Sequence, residues 1–347
     1  MKKVLSYGEI LWDVIDGQAK IGGAPFNLAG HLARLGAETF LYSKVGADEL
    51  GRRALQEIAR LGVSSNYVKT DARYPTGTAL VRLDHQGIPS YSFPEGVSYQ
   101  HIEGGEAALA SLREEGFSLF YFGSMVQMAE QSRETLLHIL EECTFPAVFF
   151  DVNIRRDFCP REMVEQSLRY TTILKLNEEE ALRFGTLFCT GEQETELIRA
   201  LFAQYSKLRC VLVTKGPRGC TAYSREAMRE INECVSKAVD TVGAGDAFSA
   251  GLISGLLAGW DVFRSARRGA ILSDFVASSS GALPVYSEQL KAKLDTCCVK
   301  LFTNTDLYPP RRNAKMGKHK GRDAKLPLFN CALCLLRTNL TQNFSAA

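Results

Sequence analysis

The sequence predicts an α/β protein: a central, mostly parallel sheet with helices on both faces, carrying a smaller second sheet. Three observations lead there. Over residues 1–300, short apolar, β-rich runs alternate with amphipathic stretches, the pattern of parallel strands joined by crossover helices. Two regions, 10–21 and 76–93, read as strands with no helix between them. Near the end of the alternation, two glycines one residue apart open an apolar run, 247–258, that reads as a helix.

The strand-like runs are 4–7, 39–43, 119–122, 147–151, 172–176 and 210–214, with a strand-like approach to the glycine segment at 234–239. Amphipathic helices are expected at 26–35, 49–61, 132–141, 161–168 and 194–205, then at 262–277, with a short last one inside 285–298. Residues 78–84 alternate, His85-Gln86-Gly87 suits a turn, and 88–93 returns as a strand, a hairpin signal. The small sheet, about 10–21 and 76–98, is either a lid over a site or an ordinary edge hairpin.

Of 347 residues, 46% are hydrophobic and 23% charged, ordinary for a globular protein. The net charge of +2 hides an asymmetry. Eight of the 41 basic and two of the 39 acidic residues fall in 301–347, which leaves the body at −4. A mildly acidic body argues against nucleic acid as a partner. The expected organisation is one domain, 1–298, followed by a basic extension, 299–347. No apolar run approaches the 18 residues of a membrane span, and Gly8-Glu9 ends the first apolar stretch too early for a secretion signal. A cytoplasmic protein is expected. The ten cysteines are scattered, with one Cys331-x-x-Cys334 pair that lacks a second pair at zinc spacing.

Five segments carry chemistry. Asp240-Thr241-Val242-Gly243-Ala244-Gly245-Asp246 enters a helix. Backbone N–H groups converge on an anion at such a start, where the helix adds roughly half a positive charge. Asp246 in the same turn would repel a stored anion. The arrangement makes better sense if a hydroxyl meets the carboxylate while charge builds near the N–H groups, as in phosphoryl transfer to an alcohol. Gly22-Gly23-Ala24-Pro25-Phe26-Asn27 lets a ligand approach the backbone, and Asn27 offers the donor and acceptor that a sugar diol needs. Asp151-Val152-Asn153-Ile154-Arg155 begins where a strand ends, and an extended backbone would place Asp151, Asn153 and Arg155 on one side. Arg155 suits a sugar oxygen or a phosphate. Asn177 and Glu180 are helix-face neighbours fit to orient a magnesium-bound water, or a helix cap with first-turn acids. Thr214-Lys215-Gly216-Pro217-Arg218-Gly219 either passes beneath a nucleotide or makes a hairpin turn. There is no P-loop motif, and no G-x-G-x-x-G follows the first strand. His31, in the first helix, is expected to be structural.

These five segments, in this order, resemble the ribokinase-like PfkB family of sugar kinases over roughly residues 1–295. The resemblance implies a three-layer body with a central mostly parallel sheet and a β-sheet lid. It implies Asp246 as catalytic base, with Gly243, Ala244 and Gly245 as the anion hole. Asp13, Gly23 and Asn27 match sugar contacts, with Arg155 beside them. Asn177, Thr214 and Gly216 match the nucleotide site, and Glu180 the magnesium element, through water. Asp240 and Val242 match the backbone region that holds a monovalent cation, K+, in some members. ATP and Mg2+ are therefore the implied co-substrate and cofactor, and a homodimer through the lid the implied assembly. Gly-Gly-Ala-Pro-x-Asn and Asp-x-Asn-x-Arg look most like fructokinases. Other acceptors (2-keto-3-deoxygluconate, ribose, a nucleoside) and a non-catalytic sugar-binding protein of the same fold are the alternatives.

Overall fold

The computed structural model describes residues 2–15, 18–83, 89–155, 158–233, 237–296 and 305–306, all within one compact unit. The chain opens with β1 (Lys3–Tyr7), β2 (Leu11–Ile15) and β3 (Gln18–Gly22), then α1 (Ala24–Arg34), β4 (Glu38–Gly46), α2 (Glu49–Arg60) and β5 (Ser64–Asp71). Next come β6 (Gly77–Leu83), β7 (Pro89–Ser92), α3 (Glu106–Glu115), β8 (Leu119–Gly123), α4 (Glu130–Glu142) and β9 (Val148–Asp151). The centre continues through α5 (Arg161–Leu168), β10 (Ile173–Asn177), α6 (Glu178–Leu187), α7 (Glu194–Gln204), β11 (Cys210–Thr214), β12 (Cys220–Ser224) and β13 (Ala227–Ile231). The last elements are α8 (Ala244–Leu257), α9 (Val262–Ala277), α10 (Glu288–Asp295) and β14 (Thr305–Asp306).

Among the described residues the main sheet has ten strands in the order β14-β13-β12-β11-β10-β9-β8-β1-β4-β5. From β11 to β5 every pairing is parallel, and β12, β13 and β14 add an antiparallel edge. Successive side chains point to opposite faces, so each strand feeds two cores. Leu5, Phe120, Phe122, Phe150, Leu174 and Val211 pack with α3 to α7 on one face. Val4, Tyr121, Phe149, Ile173 and Leu212 pack with α1, α8, α9 and α10 on the other. Both faces are covered, which is why the parallel strands read as continuous apolar runs.

The second sheet, β3-β2-β6-β7, holds the two regions that lacked helices. β6 and β7 pair antiparallel, as the hairpin signal predicted; the turn itself, 84–88, lies outside the described residues. β2 joins the hairpins by pairing parallel with β6. Trp12 and Asp13 in β2 face opposite ways. Trp12 lies under the Arg53 guanidinium, 4.4 Å from its ring centroid, and its indole N–H donates to Leu50 O of α2 (3.1 Å). The start of β6 is tied to the same helix: Thr76 donates through its N–H and its hydroxyl to Asp48, the α2 N-cap (2.7 and 2.6 Å).

Two expectations are corrected. The approach to the glycine segment is not a strand over its described part. The N–H groups of Val239 and Asp240 donate to Ala277 O at the end of α9 (2.7 and 3.1 Å), so a helix terminus claims the hydrogen bonds a strand would need. The alternation after Asp151 also breaks, because Asn153 is left-handed at φ 44°. Asp151 stays buried under the sheet edge, while Asn153 and Arg155 turn outward. The 299–347 extension lies outside the described residues except for β14.

Candidate active site

A cavity of about 560 Å³ opens at the carboxyl edge of the main sheet, where β1 lies between β8 and β4 and the strand order reverses, the usual ligand position in such folds. Its walls come from distant parts of the chain: Glu9 after β1, Leu11 and Asp13 of β2, Gly23 and Asn27 at α1, Met125 after β8, Asn153 and Arg155 after β9, Lys175 of β10, and Thr241, Val242, Gly243, Gly245 and Asp246 entering α8; Ala244 does not line it. Leu11 and Asp13 reach it together because alternate residues of β2 share a face. Phe93, just after β7, adds a second contribution from the small sheet.

Two glycines shape the opening. Gly23 has φ 108°, and a Cβ there would lie 2.5 Å from Glu9 O. The start of α1 can approach the end of β1 only with no side chain at that point. Gly243 caps α8 in the left-handed region, φ 78°, and a Cβ would lie 2.5 Å from the Ala282 methyl. The first turn of α8 leaves amides without an intrahelical partner. The Ala244 N–H is used within the turn, donating to Thr241 O (3.2 Å), and Gly245 and Asp246 follow it.

Asp246 stands on that turn. Asn27 Nδ2 donates to its Oδ2 at 2.8 Å. Burial pushes the Asp246 carboxyl up to about 6. The Asn27 hydrogen bond, Lys175 and Arg155 pull it down, and Asp151 pushes it further up. Asp13 is also raised by burial, against the Arg155 guanidinium. Burial likewise takes Glu9 up to about 7, opposed by the N–H groups of Glu9 and Ala24 and by Arg155, and reinforced by Asp246.

Below this floor lies a buried charge network that the sequence did not reveal. Lys175 Nζ is 2.7 Å from Asp151 Oδ1, with both side chains nearly sealed from solvent. Asp151 Oδ2 is 2.7 Å from Ser249 Oγ of α8, and Tyr121 donates to it at 3.3 Å. The Lys175 ammonium would be lowered by burial, but Asp151 and Glu180 outweigh that and hold it above its ordinary value. Lys175 is an isolated charge inside an apolar strand, and that was its only sequence signal.

The cavity thus gathers Asp13, Gly23, Asn27, Arg155, Val242, Gly243, Gly245 and Asp246 of the expected residues. Asn177, Glu180, Thr214 and Gly216 sit apart, at the ends of β10 and β11, where Asn177 and Thr214 are paired in register. Asn177 and Glu180 form a capping box: Asn177 Oδ1 accepts the Glu180 N–H and Glu180 Oε2 accepts the Asn177 N–H, each at 2.8 Å. Glu180 Oε1 accepts the Ile154 N–H (2.8 Å). Each oxygen thus accepts one backbone hydrogen bond, and the side chain is buried. Gly216 starts the short 3-10 turn of the β11–β12 hairpin. Asp240 braces its loop, accepting from the N–H groups of Val242 (3.0 Å) and Gly281 (3.1 Å). No group of three or more His, Cys, Asp or Glu side chains among the described residues is placed to hold a metal by itself. His31 is structural, as expected: Nδ1 meets the Tyr286 hydroxyl at 2.5 Å, and burial pushes the imidazole down to about 3.

An acidic acceptor for a proton, on the same turn as the helix-start amides and beside a cavity lined with sugar-compatible groups, can support transfer of an electrophilic group to a hydroxyl. Residues 1–288 match the model of the pfkB family carbohydrate kinases. A fructokinase of Klebsiella pneumoniae is 32% identical over 275 residues, covering 74% of this chain and 85% of that one. The crystal structure of an uncharacterised sugar kinase from Pyrococcus horikoshii superposes with a TM-score of 0.69 at 26% identity, over 81% of this chain and 94% of that one. The fructokinase of Vibrio cholerae O395, solved with fructose, ADP and a calcium ion, superposes with a TM-score of 0.71 at 22% identity, over 85% and 98%. The fold is thus ribokinase-like. No described helix is long and apolar enough to cross a membrane.

Proposed function

We propose that this chain, which belongs to the pfkB family of carbohydrate kinases, transfers the γ-phosphoryl of ATP to a primary hydroxyl of fructose. The observation that carries the reading is Asp246. Its carboxylate lines the cavity from the first turn of α8, beside the helix-start amides and fixed by Asn27. Sequence similarity to named fructokinases supports the choice of sugar.

In this mechanism the sugar lies between Asp13, Gly23, Asn27 and Arg155. Asp246 takes the proton of the attacking hydroxyl as its oxygen bonds to the γ-phosphorus. The bond from that phosphorus to the bridging oxygen breaks, and ADP leaves with the electron pair. The N–H groups of Gly243, Ala244 and Gly245 stabilise charge on the equatorial oxygens, with Ala244 giving up its bond to Thr241 O to do so. Asn177, Thr214 and Gly216 bind the nucleotide from the ends of β10 and β11. Magnesium, when bound, offsets phosphate charge. Glu180 would hold it through water. Carbonyls around Asp240 and Val242 would hold a monovalent cation, and the Asp240 side chain keeps that loop in shape. The β2–β6 sheet closes the cavity and excludes water.

The reading also takes 1–298 as the kinase domain, the cytoplasm as its site and the lid as a homodimer contact. The decisive measurement is ATP-dependent ADP release with a panel of fructose, ribose, 2-keto-3-deoxygluconate and a nucleoside. The expected result is the highest kcat/KM on fructose. Turnover of another acceptor in preference overturns the choice of sugar, and sugar binding without ADP release overturns the enzyme.

A further inference from the structure

Two buried acceptor atoms of the cavity wall have no donor. Glu9, 3% exposed, uses Oε1 to accept the Ala24 N–H (3.2 Å), while its Oε2 has no hydrogen-bond partner. Asn27, 4% exposed, spends an N–H on Asp246, and its Oδ1 is likewise unpartnered. Leaving a buried acceptor unpaired is costly, because it has given up water and gained no donor. Asp13 and Asp246 add further carboxylate oxygens to the same cavity, against the exposed Arg155 guanidinium and the Lys175 ammonium, which Asp151 already pairs. The wall therefore carries a surplus of acceptors and of negative charge.

A surplus of acceptors selects a ligand that brings donors. A neutral polyhydroxy sugar brings one at each free hydroxyl. A sugar acid or an already phosphorylated sugar brings anionic oxygens that only accept. We propose that Glu9 is an acceptor-specificity residue, whose unpaired carboxylate oxygen takes a hydroxyl hydrogen bond from a neutral sugar and repels acidic acceptors. This rests on the kinase reading above and extends it to a residue to which the resemblance assigns no role.

The charge state of Glu9 gives an independent handle. Its neighbours are the Ala24 N–H from α1, Asp246 from α8 and Arg155 after β9, with Asp13 of β2 and Lys175 of β10 on the same cavity. Burial holds Glu9 near 7. A hydroxyl that donates to the ionised form lowers that value on binding, so sugar binding releases protons and tightens as pH rises through about 7.

The test is calorimetric binding, without nucleotide, of fructose, ribose and gluconate to the full chain and to Glu9→Gln, from pH 6 to 8. Glu9→Gln keeps the length of the side chain and the Ala24 contact, and a melting curve checks its fold. The expected result is neutral-sugar affinity weakened by about tenfold, equivalent to about 1.4 kcal/mol, with the pH dependence near 7 abolished and gluconate gaining relative to fructose. Asp246→Asn serves as control: it retains a pH dependence, moved below 7 because the Asp246 charge helps to raise Glu9. Wild-type affinity and pH dependence retained in Glu9→Gln overturn the role of Glu9 and leave the kinase reading intact. Ribose bound in place of fructose, with the loss in Glu9→Gln, overturns fructose as acceptor and leaves the role of Glu9. Preference of the unaltered chain for gluconate overturns the specificity inference outright.

Discussion

Asn27 Nδ2 donates to Asp246 Oδ2 across 2.8 Å, joining two helix starts 219 positions apart in the chain. That bond fixes which carboxylate oxygen faces the cavity. It also favours the ionised form of a group that burial pushes towards neutrality.

On the proposed mechanism, Asp246→Asn removes the base and keeps the shape. A placed base contributes ~10²–10⁴-fold, so kcat falls by that order while fructose affinity is largely kept. Coupled ADP-release kinetics and calorimetry read the two quantities separately.

The same variant is more stable than the parent at neutral pH. The folded Asp246 sits at about 6 against an ordinary 3.8. Between those values the folded state binds the extra proton, so stability falls as pH rises through the window and stays low above it. The difference sets an upper limit of about 3 kcal/mol, less the lost preference of Asn27 for a carboxylate. Urea unfolding at pH 4 and pH 8 should show the variant's advantage only at the higher pH.

The activity itself loses its base as pH falls. With Asp246 at about 6, kcat should drop tenfold per unit below that value. Asn27→Ala removes a hydrogen bond that favours the charged form, so its acid limb moves to higher pH. A limb that stays in place in Asn27→Ala would contradict the electrostatic coupling of the pair.

Lys175→Met leaves Asp151 charged and unpaired in the interior. Breaking a buried pair in this way costs ~3–5 kcal/mol, read as a lowered urea midpoint. Asp151→Asn combined with Lys175→Met removes both charges and should recover most of that loss.

Gly243→Ala forces a left-handed residue with its methyl 2.5 Å from Ala282 into the cap of α8. A loss of ~1–3 kcal/mol is expected, accompanied by a fall in kcat because the first turn must shift. Equal stability with full turnover would remove the steric argument for that glycine.

The alternation of apolar runs and the glycine–aspartate helix start were legible because both are local. A buried strand needs apolar side chains on successive residues, and a helix start needs its cap within a few positions. The helices at 161–168 and 262–277 follow that logic to the residue. Local reasoning failed where distant partners compete. The 237–239 segment reads as extended, yet Ala277 O takes its hydrogen bonds. Asp151 reads as sharing one side with Asn153 and Arg155 at a strand end, yet Lys175 and Ser249 hold it inside.

Sequence by itself determined the α/β architecture and the second sheet, and singled out Asn27 and Asp246, since each of these belongs to a motif with its own local geometry; Asp13 came from the family resemblance alone. Tertiary structure alone decided which of them meet. It brought Glu9 and Lys175 into the cavity, sent Asp151 beneath it, and raised Asp246 to about 6 and Glu9 to about 7. The physical reason is that desolvation and Coulomb interaction act through space. Neither has a signature in the spacing of residues along the chain until folding sets the distances and removes the water.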